Sequence, residues 1–303
     1  MIDPHDLYGV DLRADLALAN AMADAAAAIT LARFGDRVPV ELKADDSPVT
    51  EVDVAAERAI RRVVAEHAPD DGFLGEEEGL REGTNGRRWV VDPLDGTKLY
   101  AEGIPLWTTL IALQVDGRSV LGVGDAPALG ERYHAARGYG AWRGEHRLSV
   151  SDVAYLEDAF VGHSPVEEWF DGDQAPELMG VAGRARGTRG LSDAWGHLLV
   201  AQGSMEVLLE HEPCFAWDWA ATQVIVEEAG GRITTLQGTP PWQGSDLLVS
   251  NGSVHDDVMR ALARSGVAVR PGKGLGEAGF LRVTYGTRHE NERFVEALRG
   301  CLG

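Results

Sequence analysis

The 303-residue chain is 44% hydrophobic and 25% charged, which excludes a disordered chain and supplies core enough for one large or two modest domains. Its 28 basic residues stand against 48 acidic ones, a net charge of −20 that repels nucleic acid and anionic lipid, with no basic cluster to override it. Cys214 and Cys301 lie far apart and form no CxxC pair, so neither a disulfide framework nor a structural zinc site is indicated.

The chain starts with no basic leader before an apolar run, and no apolar segment reads as a membrane span, so a cytoplasmic location is expected. Residues 12–34 are alanine-rich, with Leu16, Ala19, Met22, Ala23, Ala26 and Ile29 near helical spacing and Gly35 at the end; this predicts one long packing helix. In LKADDSPVTEVD (42–53), Ser47 and Pro48 break structure and Thr50 caps a helix reaching about residue 67. Asp53, three residues after Thr50, reads by itself as the acidic half of a capping box. FLGEEEGL (73–80) follows, a short strand and three glutamates. A charge run is usually a solvated face, but directly after a strand Glu76 would emerge at a strand end.

WVVDPLDGT (89–97) is the centre of the chain: an apolar strand running into Asp92 and Asp95, which bracket a Pro-Leu pair that can only extend or turn. Gly96 permits close approach, and Thr97 brings a hydroxyl and an amide to a helix start, an arrangement suited to a hard cation beside a phosphate. Alone, such a sequence is an ordinary strand-to-helix turn. Residues 106–115 and 119–123 read as strands joined by a hairpin turn at Asp116-Gly117. GYGAWRG (138–144) lacks GxGxxG spacing and a following helix and reads as another hairpin turn.

From about residue 151 strands and helices alternate: strands at 159–161, 185–188 and 207–209, helices at 175–182, 192–201 and 217–229, the last closed by Gly230-Gly231. That pattern favours an α/β second half. Asp218 stands in the first turn of the last helix, where an aspartate is ordinarily a favourable cap.

In order, PVTEVD (48–53), GEEE (75–78), DPLDGT (92–97) and AWDWAA (216–221) supply oxygen donors without histidine or thiolate, a set that selects Mg²⁺ or Mn²⁺ over zinc. With these four motifs the sequence resembles the inositol monophosphatase superfamily of metal-dependent, lithium-sensitive phosphatases, over roughly residues 10–262. Within it, DPLDGTK, GIPLWTTLIAL, RARGTRGLSDAWGHLLVAQGS and WDWAATQVIVEEAGGR resemble the bacterial histidinol-phosphate phosphatase branch.

The resemblance implies a layered α-β-α-β-α sandwich of the inositol monophosphatase and fructose-1,6-bisphosphatase type: an α+β part at 1–148, an α/β part at 149–265 and a tail at 266–303. It implies that Glu76, Asp92 and the Leu94 carbonyl hold one Mg²⁺, and that Asp92, Asp95 and Asp218 hold a second, with a third ion and Mn²⁺ substitution allowed and Li⁺ inhibition expected. Gly96 and Thr97 would cradle phosphate, Thr97 with Asp53 would orient the attacking water, and Lys43 would support the site. Lys98, Arg189, Asp193 and Glu210, with Glu212 as the alternative to Glu210, are the candidate substrate contacts, though helix capping or surface charge explains several equally well. Positions 99–102 depart from the branch, Glu102 standing where a basic residue is usual.

Expected partners are a small phosphomonoester and a second copy of the chain in a homodimer. Histidinol phosphate is the first substrate expectation. Inositol or another cyclitol, sugar or nucleotide phosphate is the second, and a non-catalytic binding protein that keeps the fold the third. The tail, with a loop at 271–276, a strand at 280–285 and a helix at 290–298, resembles the end of histidinol-phosphate aminotransferases. A leftover of gene fusion is the preferred reading, and help from Arg270 and Arg282 in binding an anion the bolder one.

Overall fold

The computed structural model describes residues 12–36, 38–43, 47–171, 174–211, 213–263, 270–271 and 281–282. Its first half is an eight-stranded sheet of β3 (Gly72–Gly75), β4 (Gly79–Arg81), β5 (Arg87–Asp95), β6 (Thr108–Val115), β7 (Arg118–Ala126), β8 (Glu131–Ala136), β9 (Gly140–Arg143) and β10 (His146–Arg147). The spatial order is β10-β9-β8-β7-β6-β5-β3-β4, antiparallel throughout except for the parallel pair β3 and β5. Separately, β1 (Glu41–Leu42) and β2 (Pro48–Val49) pair as a short antiparallel ribbon across the expected break at Ser47-Pro48.

The central strands are apolar almost without interruption because both faces of the sheet are covered. Trp89, Val91, Ile111 and Leu113 enter one core, and Val90, Leu110 and Ala112, alternating with them, enter another. The first core is closed by α1 (Leu12–Arg33) and α2 (Glu51–His67) through Ala19, Met22, Ala23, Ala26, Ala56, Ile60 and Val64. Contrary to the sequence expectation, α1 is by length and composition apolar enough to cross a membrane, but these residues pack into the sheet.

The second core is closed by α6 (Asp193–Ala201) and α7 (Ala216–Glu228), which also meet a five-stranded sheet. That sheet comprises β11 (Phe160–His163), β12 (Gly187–Gly190), β13 (Val207–Glu210), β14 (Arg232–Thr234) and β15 (Leu247–Ser250), in the order β12-β11-β13-β15-β14. Val207, Leu209 and Leu248 face outward into a third core, which α5 (Ala175–Ala182) and α8 (His255–Ala263) cover with Leu178, Val181, Val258 and Leu262. The layers therefore run helix, sheet, helix, sheet, helix, as expected.

Two short helices, α3 (Thr97–Ala101) and α4 (Val166–Asp171), complete the α-helices among the described residues. The strand expected at 185–188 begins two residues later, because Arg184 and Ala185 still donate to Val181 and prolong the preceding helical turn. In the tail, Arg270–Pro271 pairs antiparallel with Leu281–Arg282; the expected helix at 290–298 lies outside the described residues.

Candidate active site

Strand pairing brings the first two acids together. β3 and β5 run parallel with Gly75 opposite Val91, so Glu76 and Asp92 leave the same sheet edge, and the Glu76 N–H donates to the Val91 carbonyl at 3.2 Å. Asp92 and Asp95, three residues apart, would point to opposite faces of a regular strand. The register slips between them, with Asp92 opposite Leu110 and Asp95 opposite Thr108, and the extra residue redirects the strand. The turn is pinned where the Leu94 N–H donates to Asp92 Oδ1 at 2.9 Å and the Thr109 hydroxyl to the Pro93 carbonyl at 2.8 Å. Gly96 follows with φ of +84°, a left-handed conformation costly for a residue with a Cβ, and α3 starts at Thr97.

The second half contributes through its helices. Asp218, in the first turn of α7, accepts the Phe215 N–H at 2.6 Å. Asp95 Oδ2 accepts the Thr108 hydroxyl at 2.9 Å and, from the start of α6, the Ala194 N–H at 3.0 Å. Carboxylate oxygens of Asp92, Asp95 and Asp218 lie within 4.8 Å of one another, and Glu76 is within hydrogen-bonding reach of Asp92.

Crowded, dehydrated carboxylates resist ionisation. Burial first, then repulsion from Glu76, Asp95 and Asp218, drives the pKa of Asp92 well above the ordinary range. Asp95 is driven up likewise by burial and by Asp193 and Asp218, against the Thr108 hydrogen bond. For Asp218 burial again dominates, opposed by the Phe215 N–H and reinforced by Glu76, Glu210 and Asp193. Glu76 is raised by burial and held back by Lys43, whose ammonium lies 2.7 Å from Glu76 and 2.8 Å from Glu77. Burial opposes the Lys43 charge, yet both glutamates outweigh it and raise its pKa. Glu77 is pushed up to about 7 by burial, despite Lys43.

An all-oxygen set under mutual repulsion fits a hard divalent cation, which would relieve the charge that the fold concentrates there. Beside it the Thr97 hydroxyl lies 2.9 Å from Asp53 Oδ1 and 3.1 Å from the Leu94 carbonyl. Asp53 is also the capping residue expected from sequence: its Oδ2 accepts both the N–H and the hydroxyl of Thr50 at the start of α2. Buried and raised in pKa by burial against the Thr50 and Thr97 hydrogen bonds, it serves helix and site together.

Asp193 stands at the start of α6 with φ of +58°, a strained backbone for a non-glycine residue, and with Glu210 at the end of β13 adds negative charge near Asp95 and Asp218. Glu210 is buried and receives His197 Nε2 at 2.9 Å; Glu212 lies outside the described residues. Lys98 is exposed on α3. Arg189, on β12 opposite Gly162, donates to the Thr188 carbonyl at 2.7 Å, and its guanidinium lies 5.9 Å from the Phe160 ring centre. Sequence reasoning missed Thr108, Ala194, Glu77 and His197. A carboxylate one helical turn beyond Asp53 was the available signal for a further missed residue, Glu57.

A layered α/β sandwich with a cage of acids at a strand end defines the class, and the comparisons give the family. The model of the inositol monophosphatase family matches residues 11–267, and the chain belongs to that family. It is 40% identical over 254 residues to a histidinol-phosphatase of Mycobacterium tuberculosis, covering 82% of this chain and 97% of the relative. Identity to an inositol-1-monophosphatase of Mesorhizobium japonicum is 37% over 261 residues, covering 82% and 96%. Among solved structures, the extragenic suppressor protein suhB of Bartonella henselae superposes with a TM-score of 0.78 at 30% identity, over 83% of this chain and 99% of that one. The protein is thus a phosphoric monoester hydrolase near the histidinol-phosphatases, acting on small phosphomonoesters.

Proposed function

We propose that this phosphatase hydrolyses L-histidinol phosphate to L-histidinol and phosphate in histidine biosynthesis, using Mg²⁺, as a cytoplasmic homodimer. The observation carrying the substrate is the pair Asp193 and Glu210: both lie close enough to Asp95 and Asp218 to raise their pKa, a surplus of negative charge beyond the cation cage. That surplus favours a leaving group bearing an ammonium over a neutral polyol. The identity to curated histidinol-phosphatases supports the same reading.

In this reading Glu76, Asp92 and the Leu94 carbonyl hold one ion, and Asp92, Asp95 and Asp218 a second; Mn²⁺ substitutes and Li⁺ inhibits. When bound, the ions neutralise phosphoryl charge and activate the attacking water. The chain's own groups do the rest. Gly96 and Thr97 hold the phosphoryl group, and the Thr97 hydroxyl, donating to Asp53, keeps a lone pair with which to orient the water. Lys43 fixes Glu76 through a hydrogen bond of 2.7 Å.

Phosphate release from histidinol phosphate, inositol phosphates, a sugar bisphosphate and a 3′-phosphonucleotide, with and without Mg²⁺, tests the proposal. Histidinol phosphate should lead by at least tenfold in kcat/KM. The second reading, an inositol monophosphatase, rests on the 37% identity to the Mesorhizobium enzyme and is favoured if inositol phosphate matches or exceeds that rate.

A further inference from the structure

Glu57 lies on α2 one turn after Asp53, and its side chain is fully buried. It faces neither the acid cage nor solvent. One carboxylate oxygen accepts the Glu77 N–H at 2.7 Å and the other accepts the Glu78 N–H at 3.0 Å. The Arg61 guanidinium, one turn further along the helix, pairs with Glu57 Oε1 at 2.8 Å and donates to the Gly79 carbonyl at 2.6 Å. Arg61 is itself held over the Phe73 ring, 4.3 Å from its centre.

The turn carrying Glu76 is therefore gripped at both ends by two side chains of a single helix. The grip leaves a mark on the sequence: a Cβ on Gly75 would lie 2.3 Å from the Glu57 carboxyl carbon, so the residue before Glu76 has no side chain because the Glu57 carboxylate fills that space. A carboxylate accepting two backbone N–H groups and an arginine holds its partners by charge-assisted bonds, stronger than neutral ones. On the same helix Asp53 holds Thr97, in the loop bearing Asp92 and Asp95. One helix thus spaces the two loops that bring Glu76, Asp92 and Asp95 to the cage, which Asp218 completes from α7.

We propose that Glu57 is a positioning residue for cation binding: through the Glu77 and Glu78 amides it fixes Glu76 opposite Asp92, with Arg61 as its counter-ion. The inference rests on the proposed Mg²⁺ site. Loss of a partner that orients a ligand typically weakens metal binding about 10–100-fold.

The test is calorimetric titration of the chelator-treated full chain with Mg²⁺, alongside thermal unfolding without metal. Glu57→Gln replaces an acceptor oxygen by an NH₂ group that opposes one of the two amides, and Gly75→Ala displaces the carboxylate with its charge intact. Both variants should bind Mg²⁺ at least tenfold more weakly while remaining folded, with the activating Mg²⁺ concentration shifting by the same factor and kcat at saturating Mg²⁺ within about threefold of the parent. A purely structural Glu57 would lower the unfolding temperature and leave Mg²⁺ affinity unchanged, which overturns the proposal. So does failure of both variants to fold. If the unaltered chain takes up no Mg²⁺, the metal reading falls; if it does and the variants match it, only the role of Glu57 falls.

Discussion

The Thr97 hydroxyl lies 2.9 Å from Asp53 Oδ1, joining a helix start in the first half to the loop that carries Asp92 and Asp95. Asp53→Asn keeps the shape and removes the charge. Phosphate release should fall about 10²–10³-fold, as expected for loss of a group that assists proton movement. Because Asp53 also caps α2, the variant should lose about 1 kcal/mol of stability, read by urea unfolding.

Asp95 illustrates stability given up for function. Its carboxylate is buried beside Asp92, Asp193 and Asp218, so Asp95→Asn should abolish turnover yet unfold no earlier than the parent when both are metal-free. Mg²⁺ should raise the parent's Tm by several degrees and the variant's by much less.

The acid cage and a distant histidine predict opposite pH slopes. Asp92, Asp95 and Asp218 have raised pKa values when folded, so the folded state holds extra protons just above the unfolded carboxylate pKa, and metal-free stability falls as pH rises through that window. His255 behaves the other way. Burial first, then Arg232, lowers its pKa to about 4 between the hydroxyls of Thr234 and Ser250. Stability from His255 is complete above its unfolded pKa near 6.5 and drains away as pH falls toward 4, by about 1.4 kcal/mol per pH unit. Unfolding measured at pH 4–8 should show His255→Gln removing the rising contribution to stability and Mg²⁺ removing the falling one.

Glu210, steadied by His197 at 2.9 Å, is expected to sort substrates rather than drive chemistry. Glu210→Gln should raise KM for histidinol phosphate about tenfold and change inositol phosphate turnover less than twofold; equal losses on both would contradict that role.

Much of the layered fold was legible because its period is written in the chain: both faces of β5 and β6 are buried, so their residues are apolar in succession, and α1, α2 and α7 begin and end close to the expected places. The acids were legible as residue types at strand and helix ends. Their convergence followed only from the family resemblance, because the parallel pairing of β3 with β5 and the slipped register between Asp92 and Asp95 leave no local signature. The left-handed Asp193 and the placement of the Arg189 guanidinium near Phe160 are tertiary facts for the same reason. Glu57 escaped notice because an acid inside an amphipathic helix ordinarily faces water.

In the proposed mechanism the converged carboxylates work only around divalent cations. This dependence is tested most directly by chelating the protein and following phosphate release from histidinol phosphate as Mg²⁺ is restored. No turnover without metal, saturable recovery with Mg²⁺ and no recovery in Asp95→Asn are expected; full turnover in the presence of chelator would contradict the proposed metal dependence.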